Sequence, residues 1–186
     1  NFKSGLKYIK ESKNFIYIVS SIFLLFILIG YFIPAPDFIA KAILEFIENL
    51  LNKTEGMSLA SLAAFIFLNN LQSSFFGMIF GFIFGIFSVI TVIVNGYILG
   101  FVSAKMVESE GITILWRLLP HGVFELPAVL ISMGLGLKIG TFIFQKNRMK
   151  SLKEFLLKSL KAFFFIIIPL LLIAALLEAT LVSLFS

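Results

Sequence analysis

The sequence contains no cysteine, one histidine and, in Asp37, one aspartate. Without cysteine there can be no disulfide, no thiolate chemistry and no cysteine-held metal, and the redox compartment cannot be read. A single histidine, His121, rules out the two-histidine signature of helical zinc proteases. With Asp37 as the only aspartate and no nucleophile elbow, serine–histidine–aspartate catalysis has no motif to stand on. No phosphate-cradling glycine loop follows a strand, and no aromatic–basic interleaving suggests a nucleic-acid face. We therefore expect a protein that is not an enzyme, carries no cofactor and binds no nucleic acid. A metal at His121 stays open.

Charge is scarce as well. Charged residues make up 13% of the 186, about half the usual share, against 60% hydrophobic residues. Stretches 14–36, 56–104 and 162–177 carry no charge at all. A helix crossing the bilayer core needs roughly 20 apolar residues. A soluble core needs no uncharged run as long as 56–104, and buried strands would come as short runs broken by turn residues. The fold class implied is all-α, a polytopic transmembrane helix bundle of one domain over 1–186.

The spans can be placed in order. Residues 1–14 form an arm with Lys3, Lys7, Lys10 and Lys13 against Glu11 alone. Residues 15–33 form the first span, too long for a signal-peptide core and lacking a small-x-small cleavage site. Pro34 and Pro36 stop it. Over 37–53, Asp37, Lys41, Glu45, Glu48 and Asn52 follow helical spacing opposite Phe38, Ile39, Ala42, Ile43, Phe46 and Ile47. That pattern predicts an amphipathic helix with Asp37 as N-cap, lying in the interface, over the bundle mouth, or as a solvated connector. Spans at 60–81 and 85–104 follow with no polar loop between them. Their connection at 77–88 is a tight turn shielded by protein or a re-entrant break. A mixed-charge loop covers 105–117, Pro120 suits a first helical turn, and the fourth span occupies 120–144. The linker 145–161 is basic, and the fifth span, 162–182, is expected to kink at Pro169.

Basic residues orient the chain. Cytoplasmic loops carry excess Lys and Arg. The arm and the 145–161 linker both lie inside only if 56–104 crosses twice. The expectation is five spans in a cell membrane, N-terminus cytoplasmic and C-terminus external, with 37–53 and 105–117 outside. The net charge of +5 then suits anionic lipid headgroups.

Polar residues inside such spans need a reason, because a charge at the bilayer centre costs about 3 kcal/mol by insertion scales. The candidates are Asn69, Asn70, Asn95, His121, Glu125 and Glu178. The topology puts Glu125 and Glu178 near the external rim and the asparagines nearer mid-membrane. They can form a cation or proton site, or a polar network locking helix to helix. Glycines give a second pattern: Gly77, Gly81 and Gly85, Gly96 and Gly100, Gly136 and Gly140 recur every fourth residue. Such stripes let helices approach closely, within one subunit or across a homodimer seam.

Phe67-Leu68-Asn69-Asn70, Asn95-Gly96 with Gly100, Leu118-Leu119-Pro120-His121-Gly122 with Glu125, and Ile173-Ala174-Ala175 through Glu178 resemble the stage II sporulation protein M (SpoIIM) family. The resemblance runs from about residue 15 to 182. It implies five spans and, in sporulating bacteria, a membrane scaffold working with envelope hydrolases. Asn69, Asn95, His121, Glu125 and Glu178 match without an assigned role. Two functions are thus expected to compete: passage of an ion or small solute through the polar cluster, or a non-catalytic scaffold recruiting envelope or membrane partners.

Overall fold

The computed structural model describes residues 1–114 and 119–185, with side chains at 119–124 and 183–185 outside that description. Helix α1 (Phe2–Glu11) opens on a capping box, in which the Asn1 side chain accepts from the Ser4 amide and the Ser4 hydroxyl donates to the Asn1 carbonyl. Next come α2 (Lys13–Phe32), α3 (Asp37–Thr54), α4 (Leu59–Ile79), α5 (Ile86–Glu110), α6 (Leu119–Gly140), α7 (Arg148–Ala162) and α8 (Ile168–Phe185). A 3₁₀ turn, Phe80–Phe82, follows α4, and a π turn, Phe163–Ile167, makes α7 and α8 one continuous helix. Five stretches are long and apolar enough to cross a membrane: Lys13–Phe32, Leu59–Phe82, Ile86–Glu110, Glu125–Phe144 and Arg148–Val182. No strand occurs among the described residues.

Local structure departs from the sequence reading in several places. The basic arm and the basic linker are helices, because each has an apolar side to bury. Gly5 and Tyr8 of α1 are buried, as are Ser159 and Ala162 of α7. A Cβ on Gly5 would lie 3.3 Å from the Ala162 Cα and 3.0 Å from Ile166 Cδ1, so glycine sets the approach of the two helices. Helix α5 continues to Glu110, well over a turn past the expected end of the span at 104, with Lys105 paired to Glu108 at 2.7 Å. Asp37 is not an N-cap but the first helical residue of α3. Pro36 holds the cap position, its carbonyl accepting from the Ile39 and Ala40 amides. Pro169 is absorbed by the π turn: its missing N–H leaves the Phe165 carbonyl without an α-helical donor, and a widened turn accommodates that. Helix α3 buries only Ile43 and leaves Phe38, Leu44, Phe46 and Leu51 at least half exposed, as an interfacial helix would.

Small residues let backbones meet across the bundle. On α5, a Cβ at Gly100 would strike the Ile27 carbonyl of α2, and one at Gly96 would lie 2.7 Å from the Phe23 carbonyl oxygen. Gly30 of α2 returns the contact against Tyr97. Gly77 faces Met133, Gly81 faces Gly136, Gly85 faces Leu137, and Gly140 faces Gly85. All seven glycines of the sequence pattern are therefore used at contacts within the chain. Two buried serine hydroxyls tie the same seams: Ser88 donates to the Gly77 carbonyl at 2.8 Å and Ser132 to the Ser74 carbonyl at 2.7 Å. Around them lie Val19, Phe23, Val92 and Met133 on one side, and Met78, Ala128, Leu135, Ile139, Phe163, Ile167 and Leu171 on the other.

The link between α4 and α5 is a tight turn. Phe84 (φ 54°) and Gly85 (φ 72°) reverse the chain, and the Ile83, Gly85 and Ile86 amides donate to the Phe80, Gly81 and Ile83 carbonyls. The turn thus satisfies its own backbone where lipid cannot. At the same end of the bundle, α1 packs on α7. The helix preceding the first span and the helix preceding the last therefore share one side of the membrane, which requires the even number of crossings that α2, α4, α5 and α6 supply.

Candidate functional site

Asn69 and Asn70 are neighbours in sequence but about 100° apart around α4, so they cannot serve one face. The structure separates them. Asn69 joins Gln72, Ser73, Phe76, Gly77 and Phe80 of α4, and Phe87 and Thr91 of α5, along a lateral cleft of about 290 Å³. Asn95 lies one turn beyond Thr91 on the same edge, its Nδ2 donating to the Thr91 carbonyl at 2.8 Å, while the Thr91 hydroxyl donates to the Phe87 carbonyl at 2.8 Å. Asn69, Gln72, Ser73 and Asn95 are exposed. Among the described residues, Asn69, Gln72 and Ser73 make no side-chain hydrogen bond. Asn69 is ten residues into α4 and Asn95 nine beyond the start of α5. At 1.5 Å per residue each is about 15 Å deep, near the middle of a 30 Å core.

The inward group is different. Asn70 is half-buried on the face of α4 that also carries the buried Ile66 and Ser74. Glu125 is half-buried and lies three and seven residues before the buried Ala128 and Ser132 of α6. Glu178 lies among the buried Ala174, Ala175 and Ala179 of α8, with its Oε2 shielded from solvent. Helices α4, α6 and α8 pack on one another. The Ser132–Ser74 bond sets the level of α6 against α4, which puts Glu125 opposite Phe67. Packing of Ala175 and Ala179 on Leu62, Ala63 and Ile66 puts Glu178 at that neighbouring level. The two acids and Asn70 thus occupy inward faces within about two helical turns. The side chain of His121 lies outside the described residues. No group of three or more metal-ligating side chains occurs among the described residues.

The single polar cluster drawn from sequence is therefore two loci: Asn69 and Asn95 open sideways, and Asn70, Glu125 and Glu178 face the bundle. Gln72, Ser73 and Thr91 were legible as a polar edge at helical spacing (69, 72, 73 on α4; 91, 95 on α5) and belong with the cleft. Sequence reading also passed over Lys138, a cation inside the fourth span. Its Nζ donates to Ser12 Oγ at 2.9 Å and sits 4.0 Å from the centre of the Tyr8 ring. No curated protein and no solved structure matches the chain. The family model described as stage II sporulation protein M matches residues 19–183, nearly the whole length, and the chain belongs to that family.

Proposed function

We propose that this protein is a non-catalytic scaffold of the cell membrane that holds a partner transmembrane helix against the α4–α5 cleft. The observation carrying this reading is the set of exposed amides and hydroxyls at mid-depth, Asn69, Gln72, Ser73 and Asn95, opening sideways rather than into the bundle. Lipid cannot meet their hydrogen-bonding capacity, and a helix bearing amide or hydroxyl groups can, at about 0.6–2 kcal/mol per bond. Glycine contacts that close the helix seams also favour a scaffold over a conduit. An orientation with α1 and α7 in the cytoplasm and the C-terminus external follows from their lysines.

A photo-cross-linking residue at Gln72, read in native membranes, tests this. The expected product joins the chain to a different membrane protein, such as an envelope-remodelling partner, and a probe at the exposed Leu24 of α2 gives none. Adducts to a second copy alone would replace the partner by a homodimer, and lipid adducts alone would overturn the scaffold. The inward faces of Glu125 and Glu178 support a second reading, ion or solute passage. It requires a liposome flux that Glu125→Gln and Glu178→Gln abolish; the scaffold reading expects protein-loaded and empty liposomes to leak alike.

A further inference from the structure

Packing of α1 on α7 brings the two lysine-rich segments together around a cavity of about 220 Å³ lined by Ser4, Lys7, Tyr8, Glu11, Lys158 and Lys161. Three ammonium groups there face one carboxylate. Lys158 is shared with Glu154 at 2.7 Å, an exposed pair on the solvent side of α7. Beneath the cavity, Lys138 reaches from α6 to within 4.0 Å of the Tyr8 ring centre, and Lys158 lies 5.8 Å from the same ring. Tyr8 is only 3% exposed, and Ser159 beside it is fully buried. Among the described residues, neither hydroxyl makes a hydrogen bond of regular geometry. Burial pushes the Tyr8 ionisation up to about 12, against a smaller downward pull from Ser159, so the phenol keeps its proton. Buried tyrosine hydroxyls ordinarily find a partner. Here a buried donor and three ammonium groups line one cavity with a single carboxylate, Glu11, so positive charge outweighs negative charge there.

Position names the source of an acceptor that would balance it. Tyr8 precedes the start of α2 at Lys13 by five residues, and Lys161 directly precedes the uncharged run that begins at Ala162. Both therefore sit where the chain enters the bilayer, at headgroup level. We propose that the α1–α7 cavity binds the phosphate of an anionic phospholipid headgroup, with Lys7, Lys161 and the Tyr8 hydroxyl as its direct donors. Lys158 and Lys138 add positive potential around it, and Glu11 and Glu154 confine that potential to the cavity. The site locks α1 to the membrane surface and makes its docking on α7 dependent on lipid charge.

The full chain, purified in detergent, is titrated with phosphatidylglycerol or phosphatidylcholine, and bound lipid is counted by native mass spectrometry. One phosphatidylglycerol is expected to bind in preference to phosphatidylcholine. Lys7→Gln with Lys161→Gln should weaken it about 30-fold, at the usual worth of two lysines near an anionic surface. Lys3→Gln with Lys150→Gln removes the same charge away from the cavity and should weaken it less than about threefold. Tyr8→Phe separates binding from folding, because it removes a hydroxyl that makes no hydrogen bond of regular geometry within the chain: lipid affinity falls while the thermal midpoint holds or rises. Equal losses in both lysine pairs, no preference between the lipids, or a Tyr8→Phe variant with unchanged affinity would each overturn the site. Inorganic phosphate at 10-fold excess over lipid is expected to leave phosphatidylglycerol bound; full displacement would overturn the lipid as its occupant.

Discussion

Gly100→Ala tests the packing on which the cleft's shape depends. A Cβ there would lie 2.9 Å from the Ile27 carbonyl carbon and 3.0 Å from its Cα, and closer still to the carbonyl oxygen, where ordinary contact is 3.4–4 Å. Those atoms are backbone and cannot rotate aside, so α2 and α5 must part by about 0.5–1 Å. A gap of that size forfeits a quarter to a half of each dispersion contact along the seam, each worth about 0.1–0.2 kcal/mol. The seam includes Val19, Phe23, Ile27, Val92 and Leu99, and the loss after relaxation comes to about 2–3 kcal/mol, as for other overpacked interiors. Gly30→Ala meets the Tyr97 carbonyl across the same seam, so the double variant should cost less than the sum, the helices having parted already. Reversible unfolding in mixed micelles, followed by circular dichroism, measures both. Ile90→Val, at an exposed α5 position, should stay within about 0.5 kcal/mol of wild type. A Gly100→Ala protein indistinguishable from Ile90→Val would refute the reasoning.

Other perturbations separate packing from function. Asn69→Leu with Asn95→Leu should leave the isolated protein's unfolding midpoint unchanged or higher, since both side chains face outward, while the Gln72 cross-link to a partner disappears. Lys138→Met keeps the bulk but removes the ammonium from Ser12 and Tyr8. It should loosen α1 by about 1 kcal/mol, seen as roughly fivefold faster amide exchange over residues 2–11. Pro169→Ala restores an amide that lets Phe163–Ile167 revert to a regular α turn. That rotates α7 against α8 by about 100° and should raise exchange in α1, whereas Pro127→Ala, at an exposed site on α6, should not.

The fold was legible because uncharged runs and proline breaks are one-dimensional signals. Stretch 56–104 is long enough for two spans, and Pro34 and Pro36 mark the end of the first one. The arm and linker were harder: their helicity depends on Tyr8 and Gly5 meeting Ala162 and Ile166, residues some 150 positions apart that no local pattern connects. Helix α5 ran past its expected end because Lys105, Glu108 and Glu110 can extend into water without breaking helix geometry. At the candidate site, sequence named the unusual residues but not their directions. Topology gives depth, whereas direction depends on rotation about each helix axis, and that is set by glycine contacts such as Gly100 on Ile27 and Gly136 on Gly81. Hence Asn69 and Asn70 lie on different faces of α4, and the contacts of Lys138, half-buried near the end of α6, with Tyr8 and Ser12 follow no local pattern.

Absence of native cysteine makes one experiment unusually clean. Asn69→Cys and Thr91→Cys place single thiols in the cleft, to be probed with a charged, water-borne maleimide and with a lipid-soluble one, in native membranes and after purification. A cleft occupied by a partner helix predicts protection from both reagents in native membranes and labelling by the lipid-soluble reagent once the protein is alone. Equal labelling by the lipid-soluble reagent in both settings would mean bare lipid against the cleft, and labelling by the charged reagent in native membranes would mean a water-filled path; either result contradicts the scaffold.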